Sequence, residues 1–187
     1  MTPAIVLAAG AATRFGGPKQ RLMLPAVLDR LSRAAVGPII VVEGAHPLAG
    51  LAPDGVALVR CDDWARGPGA SLRCGLEALP PDAEGVIVVL ADGPGLDPRA
   101  VERVLARRAG SGVLAASYGG VRGHPVHLAR AVWSAIPDEG MRSLPAELVP
   151  CDDLEPPGDV DYVADVRSPT SFACNSSEIG SDTATRT

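Results

Sequence analysis

The residues best suited to chemistry lie in a glycine-rich, cationic loop close to the start of the chain. An apolar run over residues 5–9 leads into Gly10, and the cations Arg14 and Lys19 follow; Lys19 is the only lysine. Glycine lets the backbone turn and approach a ligand closely, and the small alanines nearby leave backbone N–H groups uncovered. Such N–H groups and cations together bind polyphosphates. The stretch predicts a phosphate-binding loop, although a strand followed by a glycine turn also occurs in α/β proteins without that function.

Two acidic residues follow apolar or turn-forming stretches further along. Asp92 comes directly after residues 86–91, the most apolar strand-like run, and Asp161 follows Pro-Pro-Gly-Asp-Val. A carboxylate at the carboxyl edge of a central strand is well placed to bind a divalent cation. Asp-Gly and Pro-Gly sequences also favour plain turns. The residues alone therefore leave a metal site and a turn open.

Alternating patterns predict the elements that would position these residues. Pro25 is expected to open the first helix and Asp97 to cap the third. Short apolar runs predict strands and amphipathic stretches predict helices. The predicted strands are 5–9, 39–42, 56–60, 86–91 and 113–116, and the predicted helices are 25–35, 70–79, 98–108 and 128–136. The alternation indicates a three-layer α/β fold with a mostly parallel sheet and ligands at the carboxyl ends of the strands.

Composition narrows the class of protein. The 187 residues are 47% hydrophobic and carry a net charge of −5, which favours one domain and disfavours broad nucleic-acid binding. No run is long enough for a membrane span, so we expect no membrane partner and a cytoplasmic location. The cysteines at 61, 74, 151 and 174 form no C-x-x-C pair and are expected to be reduced thiols.

The loop has the register of a known family signature. Residues 7–10, 14–16 and 19 resemble L-A-A-G-x-x-x-R-[MF]-G-x-x-K of the MobA-like nucleotidyltransferases, which include the molybdenum-cofactor cytidylyl- and guanylyltransferases. The resemblance implies a Rossmann-like, GT-A-like nucleotidyltransferase fold whose loop wraps the triphosphate of an NTP. It implies catalytic roles for Arg14, Lys19 and Asp92, and nucleotide contacts from Leu7, Ala8, Ala9, Gly10, Arg14 and Lys19.

Three further segments resemble the same family. Leu90-Ala91-Asp92-Gly93-Pro94 is similar to its L-A-D-x-P element and Asp159-Val160-Asp161 to its D-[IV]-D ending, which implies that Asp92 and Asp161 bind Mg²⁺, with Mn²⁺ as a possible substitute. The segment at 67–76 resembles G-x-x-x-S-[LI]-x-x-G-[LI], and that at 123–126 resembles G-[HN]-P-V. These two imply nucleotide contacts from Ser71, Arg73 and Gly75, and acceptor contacts from Gly123, His124 and Pro125.

The resemblance covers residues 3 to about 166 and implies Mg²⁺-dependent transfer of a nucleotidyl group to a phosphorylated acceptor. Leu-Ala-Ala-Gly rather than Leu-Ala-Gly-Gly favours CTP, with molybdopterin as one acceptor; GTP and sugar or alditol phosphates stay open. A nucleotide-binding protein without catalysis is the alternative from another class, because Gly93 and a short segment after Lys19 depart from the pattern. We expect a domain over 1–167, a disordered tail over 168–187, and a monomer or weak homo-oligomer.

Overall fold

The computed structural model describes residues 1–13, 17, 19–108, 110 and 112–158. Within them, seven strands form one sheet in the order β3-β2-β1-β4-β6-β5-β7. The strands are β1 (Ala4–Ala8), β2 (Ile39–Glu43), β3 (Val56–Arg60), β4 (Gly85–Leu90), β5 (Val113–Tyr118), β6 (Val121–Ala129) and β7 (Glu147–Pro150). The helices are α1 (Lys19–Ser32), α2 (Pro68–Glu77) and α3 (Pro98–Ala106), with 3₁₀ turns at Asp62–Arg66, Arg130–Ala135 and Met141–Ser143. This confirms the predicted mostly parallel α/β fold.

The central strands of the sheet bring the candidate site residues to one edge. Strand β1 pairs in parallel with β2 on one side and with β4 on the other, where Leu7 lies opposite Leu90. The carboxyl ends of β1, β2 and β4 therefore share one edge. Strand β6 is antiparallel to both of its neighbours, so its first residues reach that same edge.

Two apolar clusters, one on each face of the sheet, pack the helices against the strands. Helices α1 and α3 pack with one face of the sheet, through residues such as Leu24, Leu31 and Val104. Helix α2 packs on the other face through Leu72 and Leu76. Strands β1 and β4 contribute to both clusters, which explains their unbroken apolar runs.

The first helix begins earlier than predicted. Helix α1 starts at Lys19 and contains Pro25 in its interior, whereas the sequence reading placed Pro25 at the helix start. The buried residues Gln20, Met23 and Leu24 precede Pro25 on the core side. Their burial outweighs the local preference of proline for the first helical turn, because tertiary packing overrides propensity. The predicted helix start at Pro25 is therefore wrong.

The predicted helix over 128–136 is also wrong. Strand β6 continues to Ala129, and only a 3₁₀ turn follows. The strand is joined to β5 by Gly119 and Gly120, which have φ of 59° and 77° as a two-residue hairpin turn requires. The hairpin places residues 121–129 between two strands, which leaves no helical option. Strand β7, a four-residue edge strand, was not predicted.

The three cysteines that the structure describes do not share one state. Cys61 and Cys74 form a disulfide with 5.7 Å between their Cα atoms, which corrects the expectation of reduced thiols, while Cys151 is a buried free cysteine. The bond forms because α2 packs back against the end of β3. Among the described residues, no helix is long and apolar enough to cross a membrane. The predicted tail over 168–187 lies outside the described residues.

Candidate active site

The loop after β1 is fixed through its carbonyl groups. The Gln20 side-chain amide donates to the Gly10 carbonyl at 2.8 Å, His46 Nε2 lies 3.0 Å from the Ala11 carbonyl oxygen, and the Ala45 amide donates to the Ala9 carbonyl at 3.0 Å. Three consecutive carbonyls are thereby held on the protein side. The loop cannot turn over without breaking these contacts.

The N–H groups of the same loop are left for a ligand. Within the described part of the chain, the N–H groups of residues 10–12 donate no hydrogen bond to any residue. Ala12 has a φ of 50°, a left-handed conformation that is rare for a residue with a side chain. Successive N–H groups around such a residue form an anion-binding concavity. Strain at one residue together with unused donors is typical of a binding loop.

Lys19 and Asp92 meet where the loop and β4 converge. The Lys19 ammonium lies 2.9 Å from Asp92 Oδ2, and the side chains are 9% and 24% exposed. Lys19 is the first residue of α1, and Asp92 comes two residues after the end of β4. The parallel pairing of β1 with β4 brings the two together across 73 residues of sequence. The contact places a nearly buried cation beside the loop N–H groups.

The donor set fits a divalent cation in part. Asp92 Oδ2 contacts Lys19, and within the described residues Asp92 Oδ1 makes no hydrogen bond. One carboxylate with an available oxygen suits Mg²⁺, which keeps several waters and takes phosphate oxygens as further ligands. The described residues contain no cluster of three or more His, Cys, Asp or Glu side chains that could hold a metal by themselves. The second predicted ligand, Asp161, lies outside the described residues, as does Arg14.

His124 stands at the same edge because β6 runs against β4. Its Nε2 is buried and has no hydrogen-bond partner, while the Tyr118 hydroxyl donates to the His124 carbonyl at 2.9 Å. Burial lowers the pKa of His124 to about 4, against an opposing effect of the nearby Asp92 carboxylate. Burial also raises the pKa of Tyr118, so this hydroxyl stays a donor. The imidazole is therefore neutral at pH 7, with a ring nitrogen available to a ligand.

The other two predicted acceptor contacts flank His124. Gly123 lies against the Tyr118 ring, where a Cβ would come within 3.1 Å of two ring carbons. Pro125 is buried and follows a cis peptide bond. The adjacent Arg122 guanidinium donates to the carbonyls of Met141 and Leu144 at 3.0 and 2.7 Å, which ties the 141–144 turn to this strand. The segment 123–125 thus lies in the irregular part of β6, between its pairings with Ser117 and Ala115.

The predicted nucleotide contacts on α2 point in different directions. Ser71 is 4% exposed and lies in the first turns of the helix. Gly75 faces the sheet, where a Cβ would lie 2.8 Å from Val42 Cγ2. The Arg73 guanidinium pairs with the Asp138 carboxylate and donates to the Ile136 carbonyl at 2.8 Å. The structure thus brings Arg73 to the 136–138 segment rather than to Lys19 and Asp92.

The start of α2 is covered by that same segment. The Gly69 N–H donates to the Asp138 carbonyl at 3.0 Å, and Arg66 pairs with the Asp138 carboxylate at 3.0 Å. A Cβ at Gly69 would overlap the Pro137 carbonyl, 2.8 Å from its carbon. The pairing with both arginines lowers the pKa of Asp138. One of the N–H groups in the first turn of α2 is therefore already used within the protein.

Sequence reasoning missed the residues that hold the site. Gln20 and His46 fix the loop carbonyls, and Asp138 fixes α2. Gln20 carried a usable signal, because a polar residue directly after Lys19 on the core face of a helix needs a buried partner. Nothing in the sequence pattern indicates the other two, since their partners lie 35 and 65 residues away.

A family model now adds to this geometry. Residues 4–149 match the MobA-like NTP transferase domain. The chain belongs to the MobA-like NTP transferase family. None of the curated proteins compared with it matches significantly. The MobA-like match covers both the loop after β1 and Asp92, and it supports a nucleotidyltransferase enzyme.

Solved structures share the fold of this MobA-like transferase. Rv0371c from Mycobacterium tuberculosis H37Rv is 29% identical, with a TM-score of 0.76 over 88% of this chain and 95% of that chain. A complex of Rv0371C with manganese from the same organism is 26% identical, with a TM-score of 0.67 over 80% of this chain and 87% of that chain. A nucleotidyl transferase from Methanothermobacter thermautotrophicus, Mth528, is 20% identical, with a TM-score of 0.72 over 88% and 94% of the chains, and this likeness shows the fold alone.

Proposed function

We propose that this nucleotidyltransferase transfers CMP from CTP to a phosphorylated acceptor such as molybdopterin and releases pyrophosphate, with Mg²⁺ as its cofactor. The observation that supports it most is the contact between Lys19 and Asp92 beside a loop with unused N–H groups. A cation, a carboxylate and a row of donors are the groups that nucleotidyl transfer requires in one place. The manganese in the complex of Rv0371C belongs to that protein and is consistent with a divalent cation here.

In the proposed reaction the acceptor phosphate attacks the α-phosphorus of the NTP. A new P–O bond forms to the acceptor, the bond to the β-phosphate oxygen breaks, and pyrophosphate leaves with that electron pair. The Lys19 ammonium and the N–H groups of residues 10–12 stabilise the negative charge that accumulates on the β- and γ-phosphates. In this proposal, Arg14 stabilises the charge on the same phosphates. An acceptor phosphate is already anionic at neutral pH, so the residues mainly position and neutralise charge.

Asp92 and Asp161 would hold the Mg²⁺. When bound, the cation would supply positive charge that offsets the negative charge of the phosphates and lowers their mutual repulsion. Asp92 also holds the Lys19 ammonium in place before substrate arrives, at 2.9 Å. A nearly buried lysine that already has an acidic partner loses little side-chain freedom when the triphosphate binds.

The residues proposed to contact the nucleoside and the acceptor are assigned from the family resemblance and from their place in the fold. Leu7, Ala8, Ala9 and the segment around Ser71 and Gly75 would surround the nucleoside, with Leu-Ala-Ala-Gly favouring CTP over GTP. Gly123, His124 and Pro125 would line the acceptor side, where the neutral His124 ring presents an unpartnered nitrogen. Arg73 is the weakest nucleotide contact, because Asp138 already engages its guanidinium. Sugar or alditol phosphates fit the same chemistry as acceptors.

The substrate test measures Mg²⁺-dependent pyrophosphate release from CTP, GTP, ATP and UTP. Each nucleotide is combined with molybdopterin and with a pool of phosphorylated metabolites. Release with CTP and molybdopterin supports the full proposal. Release only with another pair keeps the chemistry and replaces the substrate. No release with any pair would contradict the proposed reaction.

Substitutions of Asp92 and Lys19 test the proposed roles of these two residues. Asp92→Asn and Lys19→Gln are each expected to lower kcat/KM by about 10²–10³, as loss of a preorganised electrostatic group does. Asp54→Asn is the matched control, since Asp54 is an exposed carboxylate outside the site. CTP with Mg²⁺ should also protect Lys19 from acetylation, read by mass spectrometry after digestion. Full acetylation at saturating CTP would contradict the role of Lys19.

A further inference from the structure

A second cleft lies at the opposite edge of the sheet. It has a volume of about 700 Å³ and is lined by Pro3 and Gly85, at the starts of β1 and β4, and by Ala129 at the end of β6. Strand β4 has six residues, so this cleft is about 17 Å from the edge that carries Asp92, at about 3.3 Å per residue. Nothing in the proposed nucleotidyl transfer uses it.

His127 is the buried polar residue of this cleft. It is 4% exposed and lies between Ile87 of β4 and Leu114 of β5. Its Nδ1 is buried without a hydrogen-bond partner. Gly85 gives the ring its space, because a Cβ there would come within 2.5 Å of His127 Nε2. Buried polar groups are nearly always satisfied, so this imidazole, held against Gly85 on the lining of the cleft, has hydrogen-bonding capacity that the described residues do not use.

Two arginines line the same cleft. Arg108 donates to the Leu105 carbonyl at 2.7 Å, and Arg130 donates to the Ala83 carbonyl at 3.1 Å. Each guanidinium has five N–H donors, so most of them stay available. Arg130 is also fixed over the Trp133 ring, 5.1 Å from its centroid. Fixed guanidinium groups favour binding of phosphate or carboxylate.

The lining also limits the charge of a ligand. Asp82 and Glu84 are exposed residues on the cleft. Two carboxylates on the same lining as two guanidinium groups disfavour a polyanion and favour a compact anionic group. The volume accommodates a small metabolite that carries one such group.

We propose that this cleft is a binding site for a small metabolite bearing a phosphate or carboxylate group, held by Arg108, Arg130 and the imidazole of His127. The site is separate from nucleotidyl transfer and does not depend on which substrates the enzyme uses. Burial and the nearby Arg108 lower the pKa of His127, which favours the neutral ring. A neutral imidazole then donates one hydrogen bond to the anion.

The test follows the ring signals of the three histidines by NMR. Inorganic phosphate and acetate are titrated separately into the full chain at constant pH and ionic strength, with the signals assigned from single histidine variants. The expected result is a saturable shift of the His127 signal with a Kd of about 1 mM or tighter for at least one anion. A response to phosphate alone or to acetate alone identifies the anionic group. No saturation with either anion up to about 10 mM would overturn the proposal.

A variant pair separates this site from general charge effects. Arg108→Gln is expected to weaken binding about tenfold, the loss of one charge-assisted hydrogen bond. Arg107→Gln is the control, because Arg107 is exposed and pairs with Glu147 at 3.2 Å. Equal weakening by both would overturn the proposal. Pyrophosphate release should be unchanged in Arg108→Gln, so failure of the anion site and failure of the proposed transferase reaction are read from different assays.

Discussion

Gly69→Ala tests the packing of α2 against the 136–138 segment. The Gly69 N–H donates to the Asp138 carbonyl, and an added Cβ would overlap the Pro137 carbonyl, 2.8 Å from its carbon. These are backbone atoms, so a side-chain rotation cannot relieve the overlap. The 136–138 segment must move away from the helix, which also loosens the pairing of Asp138 with Arg73.

The magnitude follows from three contributions. Overpacking of this kind costs about 1–3 kcal/mol, and the lost hydrogen bond about 0.5–1.5 kcal/mol. Because alanine has a higher helix propensity than glycine, the replacement also stabilises the fold by up to about 1 kcal/mol. The expected net loss is about 2 kcal/mol in the free energy of unfolding, or a decrease in Tm of about 4–8 °C for a chain of this size.

The assay is thermal and urea unfolding of Gly69→Ala beside Gly112→Ala. A Cβ at Gly112 meets nothing within 4 Å, so this control should be near neutral. The KM for the nucleotide should rise in Gly69→Ala, because the helix that carries Ser71 shifts. A Tm within about 1 °C of the parent, with unchanged KM, would refute the described close packing of α2 on the 136–138 backbone.

Three further outcomes are expected. Cys61→Ser with Cys74→Ser should lower the free energy of unfolding by about 3 kcal/mol, from the 13-residue separation of the cysteines, and alkylation of the denatured, unreduced protein should label Cys151 but neither Cys61 nor Cys74. In metal-free protein, stability should fall by about 2 kcal/mol from about pH 7 to about pH 5, since His124 has a pKa of about 4 when folded and 6.5 when unfolded and the unfolded chain binds the proton first; His124→Gln should flatten this dependence in urea titrations. Asp97→Ala should cost about 1 kcal/mol and Asp97→Asn little, because Asp97 accepts the Arg99 N–H at 2.9 Å; no loss in Asp97→Ala would contradict the cap.

Local signals predicted those elements whose own contiguous residues carry the pattern. Strand β3 has the predicted bounds, and Asp97 caps α3 as its position before Pro98 indicates. The buried strands were recognisable because both faces of the sheet are covered and their runs are continuously apolar. The position of a loop after β1 follows from the contiguous run of β1 and Gly10, whereas Gln20 and His46, which hold the loop carbonyls, lie 10 and 35 residues from their partners.

Features that depend on distant partners were not predictable. The start of α1 is decided by burial of Gln20 and Met23, which local propensity does not contain. The disulfide depends on how α2 packs against β3, and a spacing of 13 residues is no signature of it. Asp138 is an ordinary loop acid in sequence, and its role follows from two arginines that the fold brings to it.

The two-glycine turn between β5 and β6 also bears on the order of folding. It joins neighbouring strands directly, whereas the β1–β4 pair must close a loop from Leu7 to Leu90. Hairpins form in about 1–10 μs, and closure entropy grows with loop length. In refolding from denaturant, His124 is therefore expected to reach its native strand before Lys19 meets Asp92. During synthesis the order reverses, since β1 and its partner β4, with Asp92, all leave the ribosome before β5 and β6.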